Sequence, residues 1–259
     1  MTLKFLGTGT SVGVPQIGCG CKVCTSSDPR DRRRRSGAYV TAGDKAFLID
    51  TPPELRLACI EYAISKVDAV VLTHAHMDHV AAFDDIRRFN TINGGVVLPC
   101  YALPETIFQM HKIFPYISSA KGEHGLFRPQ VDFIDSSMPF SIGDVRLESV
   151  RVEHGFPCTG YLMKDTLTGG RLGYVSDCRD MSDGAVEKFY GVDVMVLDCL
   201  RVRDHSTHMN LERALGYANK ICAKKTYFTH MCHDFTHEEW LAMLPDGIAP
   251  AYDGMEITV

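Results

Sequence analysis

The chain has 259 residues, of which 45% are hydrophobic and 23% charged, and its formal net charge at pH 7 is −5. This length is enough to bury a sizeable core without disulfide bonds. The mean hydropathy of −0.05 and the lack of an apolar stretch of about 20 residues argue against a membrane span. The acidic balance disfavours a general nucleic-acid coat protein, and residues 1–7 lack the features of a secretory signal. We therefore expect one soluble, cytoplasmic domain over residues 1–259.

Short apolar strands alternate along the chain with amphipathic helices. The strands are predicted at Leu3–Leu6, Ala46–Ile49, Ala69–Leu72, Val96–Tyr101, Val145–Val152, Tyr161–Lys164, Arg171–Val175, Val194–Leu197 and Thr226–Phe228. The helices are predicted at Pro53–Ala63, His79–Phe89, Pro104–Phe114, Leu211–Cys222 and His237–Leu244. Asn210 is a good N-cap, and Thr236 with Glu239 has the spacing of a capping box. This alternation predicts a layered α/β fold.

Two segments without predicted regular structure stand out. Arg30–Arg35 is a dense basic run, which is typical of a solvated loop, with a phosphate-steering edge as the alternative. Lys121–Gln130 is interrupted by glycine and proline, and we interpret it as a long loop that forms part of the substrate wall.

The chain has ten cysteines, and their distribution is uneven. Cys19, Cys21 and Cys24 lie within six residues, and thiolates at this spacing favour a tetrahedral zinc site over disulfide bonds in a chain of this size. His233 is the favoured fourth ligand, and Cys232 is the alternative. The cysteines outside this cluster lie among apolar residues and are interpreted as reduced core residues, namely Cys59, Cys100, Cys158, Cys178, Cys199, Cys222 and Cys232.

The segment Val70–His79 ends an apolar strand with four possible metal ligands. His74 and His76 are two residues apart, so in extended backbone both imidazoles point the same way and can share one ion. Asp78 and His79 follow where a helix begins, and they are directed toward a different point. One ion cannot easily take all four ligands, so the spacing predicts two adjacent metals, and imidazole with carboxylate suits Zn, Mn or Fe.

Three later residues repeat this pattern, because each stands where a hydrophobic run stops: His154, Asp177 and His230. In α/β sheets, functional residues gather at the ends of strands. The repetition indicates that these residues complete the ligand set of the same two-metal centre.

These residues give the chain a resemblance to the metallo-β-lactamase-fold hydrolases. The resemblance rests on His74-x-His76-x-Asp78-His79, on His154, Asp177 and His230 in that order, and on Leu6–Thr10 and Leu48–Thr51. It implies a four-layer αββα sandwich, here with an N-terminal Cys-rich zinc loop. It also implies a ligand assignment: His74, His76 and His154 for the first metal, Asp78, His79 and His230 for the second, and Asp177 as the bridge. Asp50 would support the ligand loop by hydrogen bonds.

Within that superfamily the chain is most similar to the PhnP-like phosphodiesterases. The cysteine cluster is one common feature, and His208, just before a predicted helix, is another. The resemblance implies that His208 faces the substrate phosphate without binding metal, and His205 is interpreted as exposed or supporting. The tRNA 3′-processing endonucleases of this fold carry a tRNA-gripping arm where this chain has only residues 155–176, which are predicted to form a tight strand pair around Thr168–Gly170. Ala82 departs from the glycine usual in the family.

The resemblance implies a metal-dependent phosphodiesterase that acts on small phosphodiesters, cyclic ones above all. Two divalent ions, Zn or Mn with Fe as a further option, would share a hydroxide that attacks phosphorus, and a third, structural Zn would occupy the cysteine cluster. His208 would stabilise the developing charge or protonate the leaving oxygen, and Asp78 is assigned both as a ligand and as an acceptor of the water proton.

The alternatives are an RNA-processing nuclease, a thioester or lactam hydrolase of the same fold, and a non-catalytic metal-binding or partner-binding protein. The expected partners are a small phosphodiester substrate and a second copy in a homodimer, with no membrane and no tRNA-gripping arm.

Overall fold

The computed structural model describes residues 1–117 and 128–259. Residues 121–127 of the predicted loop Lys121–Gln130 therefore lie outside the described residues. Its strands are β1 Thr2–Gly7, β2 Gly37–Ala42, β3 Lys45–Ile49, β4 Ala69–Val71, β5 Leu98–Ala102, β6 Val131–Asp135, β7 Phe140–Ile142, β8 Val145–Val152, β9 Cys158–Asp165, β10 Arg171–Val175, β11 Val194–Asp198, β12 Lys225–Thr229, β13 Ile248–Pro250 and β14 Glu256–Thr258. Its α-helices are α1 Leu55–Glu61, α2 Met77–Val80, α3 Arg87–Ile92, α4 Pro104–Ile113, α5 Asp183–Phe189, α6 Leu211–Ile221 and α7 His237–Met243. Short 3-10 helices lie at Pro29–Asp31, Phe83–Ile86 and Pro115–Ile117.

The described strands form two sheets of seven strands each. The strand order is β14-β1-β2-β3-β4-β5-β6 in sheet 1 and β13-β12-β11-β10-β9-β8-β7 in sheet 2. Strands β3 to β6 run parallel in sheet 1, and β10 to β13 run parallel in sheet 2. The carboxyl ends of neighbouring parallel strands meet at one edge of a sheet, which is where ligand loops can converge.

Three apolar clusters define the layers. The central cluster lies between the sheets and includes Phe47 and Val71 of sheet 1 with Leu147 and Tyr174 of sheet 2. The two outer clusters join α1, α3 and α4 to sheet 1, and α5, α6 and α7 to sheet 2. Two sheets flanked by helices confirm the predicted sandwich. No helix in residues 1–117 or 128–259 has both the length and the apolar character needed to cross a membrane.

The predicted helix His79–Phe89 is wrong as one element. It is divided into the end of α2, a 3-10 helix at Phe83–Ile86, and α3. The backbone N–H of Ala82 donates to the carbonyl of Thr51 at 3.0 Å, instead of continuing the helical ladder. The helix is interrupted because this bond ties the segment after the ligand loop to the chain that leaves β3.

The nine predicted strands all overlap strands of the structure, but five further strands and α5 were not predicted. Four of the missed strands, β6, β7, β13 and β14, are the outer strands of the two sheets. An edge strand is paired on one side only, is often short, and carries polar residues or proline. Its sequence therefore lacks the apolar pattern from which buried strands are predicted.

Several arginines of the basic run Arg30–Arg35 contact distant elements of the fold. Arg33 is buried and donates to the Thr8 hydroxyl at 3.0 Å and to the carbonyl of Ala251 at 2.6 Å. Ion pairs join the neighbouring arginines to other elements, namely Arg30 to Asp28 and Glu238, Arg34 to Glu61, and Arg35 to Glu54. The guanidinium groups of Arg30, Arg34 and Arg35 are engaged with carboxylates of the fold, whereas Arg32 is exposed, as the solvated-loop interpretation expects.

Cys222, the C-cap of α6, has φ 54° and ψ 43° and an exposed side chain. We expect Cys222→Gly to raise the free energy of unfolding by about 0.5–1 kcal/mol, because glycine adopts the left-handed conformation without a steric cost. For a chain of this size the melting temperature should rise by about 1–4 °C. Glycine in place of the exposed Lys220, inside α6, is the control and should lower stability by about 1 kcal/mol. An unchanged or lower melting temperature for Cys222→Gly would contradict the expectation.

Candidate metal centre

The predicted ligands converge because they follow neighbouring strand ends. The ligand loop His74–His79 follows β4, Asp177 follows β10, and His230 follows β12. Asp50 and His230, each directly after a strand, have φ of 63° and 58°. This left-handed turn costs free energy for residues with a side chain, and such conformations are concentrated at functional sites. Here it accompanies the change of direction as the chain leaves the strand.

The imidazoles of His74, His76 and His154 form the first group. His74 Nε2 lies 3.0 Å from His76 Nδ1, and His154 Nε2 lies 3.2 Å from the same atom. The Nδ1 of His154 donates its hydrogen to the carbonyl of Thr207 at 2.9 Å, which leaves a lone pair on Nε2. The Nδ1 of His74 is likewise engaged, because the Thr73 hydroxyl, 3.0 Å away, accepts its hydrogen. The lone pairs of both Nε2 atoms face His76 Nδ1, which carries at most one hydrogen, so one of them has no hydrogen to accept there unless a cation lies between the rings.

Asp78, His79, Asp177 and His230 form the second group. His79 Nε2 lies 3.0 Å from Asp177 Oδ1 and 3.4 Å from Asp78 Oδ2. His230 Nε2 lies 3.2 Å from Asp177 Oδ2 and 3.6 Å from Asp78 Oδ2. Asp177 Oδ2 also lies 3.7 Å from His154 Nε2 and 4.0 Å from His74 Nε2. This carboxylate therefore stands between the two groups, in the position of a bridge.

Buried polar atoms without hydrogen-bond partners test whether these residues fit metal ions. His79 Nε2, Asp177 Oδ1 and His230 Nε2 are all buried and have no such partner among residues 1–117 and 128–259. A buried polar group without a partner costs free energy. Two divalent cations would satisfy all three atoms together with the lone pairs of the first group. The donor set of imidazoles and carboxylates thus fits the two-metal expectation.

Electrostatics keeps the first group and Asp177 in metal-binding protonation states. Burial lowers the pKa of His74, His76 and His154, so these imidazoles are neutral. Burial alone would raise the pKa of Asp177, but the neighbouring imidazoles of His230 and His79 bring it well below its usual value. Asp177 is therefore an ionised carboxylate at neutral pH.

The pKa of His79 shifts in the opposite direction from those of the first group. Burial disfavours its charged form, yet the flanking Asp177 and Asp50 carboxylates raise its pKa well above the usual value. A metal cation at Nε2 would interact with the same carboxylates in place of the proton.

Asp50 is hydrogen-bonded to the ligand loop and to Thr73, the residue before it. Its Oδ2 accepts from His79 Nδ1 at 2.7 Å and from the Thr73 hydroxyl at 2.8 Å, and its Oδ1 accepts from the Thr73 backbone N–H at 2.8 Å. The first bond leaves Nε2 of His79 free for a ligand, and the Thr73 hydroxyl in turn orients His74. One fully buried carboxylate therefore orients a member of each group.

His208 lies beside both groups. Its ring centroid is 4.5 Å from that of His230 and 4.6 Å from that of His154. Its Nδ1 donates to Asp198 Oδ2 at 2.8 Å, so Nε2 is the atom that remains for a substrate. Burial lowers the pKa of His208, but the Asp198 carboxylate more than offsets this and raises it to about 9. The Asp198 carboxylate therefore favours the protonated form of His208.

Asp198 was missed in the sequence. It is the last residue of β11 and is fully buried, and its Oδ2 also accepts from the Cys178 backbone N–H at 2.7 Å. The signal was present, because Asp198 follows the predicted strand Val194–Leu197 in the same way that Asp177 and His230 follow theirs. His205 is partly buried, and its Nδ1 accepts from the Thr207 backbone N–H at 3.3 Å, which suits the supporting role expected of it.

The cysteine cluster lies apart from these groups. His233 Nδ1 is 3.4 Å from Cys19 Sγ and 3.3 Å from the Sγ atoms of Cys21 and Cys24. Separations of this size fit donors around one tetrahedral zinc with bonds of about 2.0–2.3 Å. The backbone N–H of Cys24 stabilises the Cys21 thiolate and lowers its pKa to about 6. The cluster is consistent with a structural zinc site, and its fourth member is His233.

We expect Cys24→Ser to remove one zinc per chain and to lower the melting temperature, because the free energy of structural zinc binding contributes directly to folding. Zinc content and thermal denaturation measure both effects. Cys222→Ser changes an exposed thiol outside the cluster and is the control. If the zinc content of Cys24→Ser equals that of the unmodified protein, this site does not hold zinc.

The chain is similar to known proteins in both sequence and structure. Residues 45–231 match the family model for the beta-lactamase superfamily domain. The crystal structure of a diphosphatase from the PhnP family is 38% identical in sequence with a TM-score of 0.89, covering 99% of this chain and 96% of that chain. The Zn²⁺-bound PqqB from Methylobacterium extorquens shares the fold, with a TM-score of 0.78 at 19% identity and full coverage of both chains.

A further relative is the octanoyltransferase of Porphyromonas gingivalis, which is 31% identical over 263 residues. The match covers 100% of this chain but 52% of that protein, so the chain spans about half the length of this relative. The family-model match and the 38% identity over nearly the whole length agree with the converging ligand groups. The chain belongs to the beta-lactamase superfamily and, within it, to the PhnP family.

Proposed function

We propose that the protein is a metal-dependent phosphodiesterase that hydrolyses small phosphodiesters, cyclic ones above all. The observation that carries this proposal is the pairing of His208 with Asp198 at 2.8 Å, beside two groups of metal-ligand type. The ring nitrogen of His208 also lies near enough to His154 and Asp177 to share an ion with them, but we assign it as a donor held against the centre. Such a donor suits a reaction in which negative charge develops on phosphate oxygens. The structural neighbour at 38% identity is described as a diphosphatase from the PhnP family, which supports phosphorus chemistry for this chain.

The ligand roles follow from the two groups. His74, His76 and His154 would hold one divalent ion, and Asp78, His79 and His230 would hold the other, with Asp177 between them. Zn, Mn or Fe bound there would lower the pKa of water and neutralise charge on the phosphate. Asp78 would also accept the proton of the attacking water, because it is the most exposed carboxylate of the centre, with 12% of its side chain exposed.

His208 would act on the departing oxygen. Nδ1–H is committed to Asp198, so the proton available to the substrate is at Nε2, 4.0 Å from Asp177 Oδ2 and therefore close to the ligand groups. Donation from Nε2 would protonate the leaving alkoxide or stabilise the charge that develops on it. General acid catalysis of this kind contributes about 10²–10⁴-fold to the rate.

The alternative functions for this fold are a thioester hydrolase and an RNA-processing nuclease. A thioester hydrolase draws support from the Porphyromonas octanoyltransferase, half of whose length the chain spans. An RNA-processing nuclease is disfavoured by the net charge of −5 and by the short hairpin of β9 and β10 between His154 and Asp177.

A substrate panel separates these possibilities. Metal-loaded protein should be assayed against bis-aryl phosphate, nucleoside 2′,3′-cyclic phosphates, a cyclic ribose phosphate, a dinucleotide diphosphate, an RNA oligonucleotide and an octanoyl thioester. We expect turnover of the small phosphodiesters and little of the thioester or the oligonucleotide. Turnover of the thioester alone would overturn the proposal.

A further inference from the structure

A row of aromatic rings runs past the candidate metal centre. Its successive members are Phe156, His76, His154, His208 and His205, with neighbouring ring centroids 4.9, 5.1, 4.6 and 5.2 Å apart. The middle three are candidate ligands and the candidate proton donor. The two ends belong to neither ligand group, and both are partly exposed.

Phe156 is an apolar residue beside the polar metal centre. Its ring covers that of His76 at an interplanar angle of 33°. Among the described residues, it belongs to none of the three apolar clusters of the fold. Met77, the residue after His76, is also apolar and is 56% exposed. Apolar surface therefore lies beside a polar metal centre, where the packing of the core does not require it.

The backbone around Phe156 is constrained. Gly155 has φ +76°, and a Cβ atom at this position would approach Thr207 Cγ2 to 3.0 Å. Pro157 follows and fixes its own φ. The same Thr207 accepts a hydrogen bond from His154 through its carbonyl. The ring is thus held beside the centre in advance, which lowers the entropic cost of binding against it.

We propose that Phe156 is a specificity-determining residue that stacks against the base of a nucleotide substrate. The proposal rests on the proposed function, because it concerns the phosphoester that occupies the same centre. A planar heterocycle fits these surroundings better than an acyl chain, because every other member of the row is a polar imidazole. At the far end, His205 accepts at Nδ1 and therefore carries its hydrogen on Nε2, which can donate to a polar substrate. Stacking of a base on an aromatic side chain is sequence-tolerant, since every base has a π-face.

Two ligands, one with a base and one without, test whether Phe156 stacks against a base. Metal-loaded protein should be titrated calorimetrically with AMP and with ribose 5-phosphate. We expect AMP to bind about tenfold more tightly or better, as base stacking predicts. Phe156→Leu keeps apolar bulk over His76 but removes the ring, and should reduce the ratio of the two affinities to about one. Phe156→Tyr should restore it.

The control is Phe108→Leu, at a 57% exposed phenylalanine on α4, which should keep the preference for AMP. Metal content must be measured and must be equal in all variants. A substitution at Phe156 that displaces His76 would otherwise remove metal and weaken the binding of both ligands. Equal affinities of the unmodified protein for the two ligands, or an unchanged ratio in Phe156→Leu, would overturn the proposal. A preference for AMP without hydrolysis of any phosphodiester would overturn the proposed function and leave the stacking role standing.

Discussion

Asp177→Ala is expected to lower turnover by at least about 10³-fold and to remove metal from both groups. Altering a residue that only orients a metal ligand costs about 10–100-fold in affinity or activity, and Asp177 is itself positioned to bind both ions. Its Oδ2 lies 3.2 Å from His230 Nε2 and 3.7 Å from His154 Nε2, so the substitution takes away the one carboxylate that both groups share. Metal content by elemental analysis and turnover of bis-aryl phosphate measure the two losses.

Asp177→Asn serves as a second variant, because it preserves the shape of the side chain and guards against a simple failure to fold. It should lose metal and activity in the same direction. Asp204→Ala is the matched control, since this aspartate pairs with Arg179 with 66% of its side chain exposed. Full metal content with turnover within tenfold of the unmodified protein in Asp177→Ala would contradict the bridging role.

His208→Ala is expected to lower kcat by about 10²–10⁴-fold while the content of both ions stays intact. Asp198→Asn should have a smaller effect in the same direction, because it removes the negative charge that raises the pKa of His208. A neutral His208 that keeps its single hydrogen on Nδ1, donated to the amide oxygen, has none on Nε2, the atom that faces the centre. Turnover and metal content should be measured together for each variant.

The identity of the leaving group distinguishes general acid catalysis by His208 from charge stabilisation. A 4-nitrophenolate departs without a proton, whereas the alkoxide of a cyclic ribose phosphate needs one. If His208 is the general acid, His208→Ala should affect the cyclic substrate far more than bis(4-nitrophenyl) phosphate. Equal losses on both substrates would limit His208 to charge stabilisation, and loss of metal would refute its role outside the ligand set.

Much of the centre could be predicted from local sequence because its chemistry is local. A strand that ends in His74-x-His76-x-Asp78-His79 places donors at fixed spacing, whatever surrounds it. His154, Asp177 and His230 could be added because each stops an apolar run. The layered fold followed from buried strands, whose apolar pattern reflects burial on both faces.

Other features depend on contacts between segments far apart in the chain. The choice of His233 over Cys232, the contacts of arginines in Arg30–Arg35 and the position of Phe156 beside His76 involve partners that no local pattern specifies. The interruption after α2 has the same origin, since the Ala82 backbone bonds to Thr51 across the fold. Hydrogen bonds and ring contacts of this kind form only when packing brings distant elements to one place. The types of the candidate ligands can therefore be read along the chain, whereas their supports and the position of Phe156 beside them follow from how the two sheets pack.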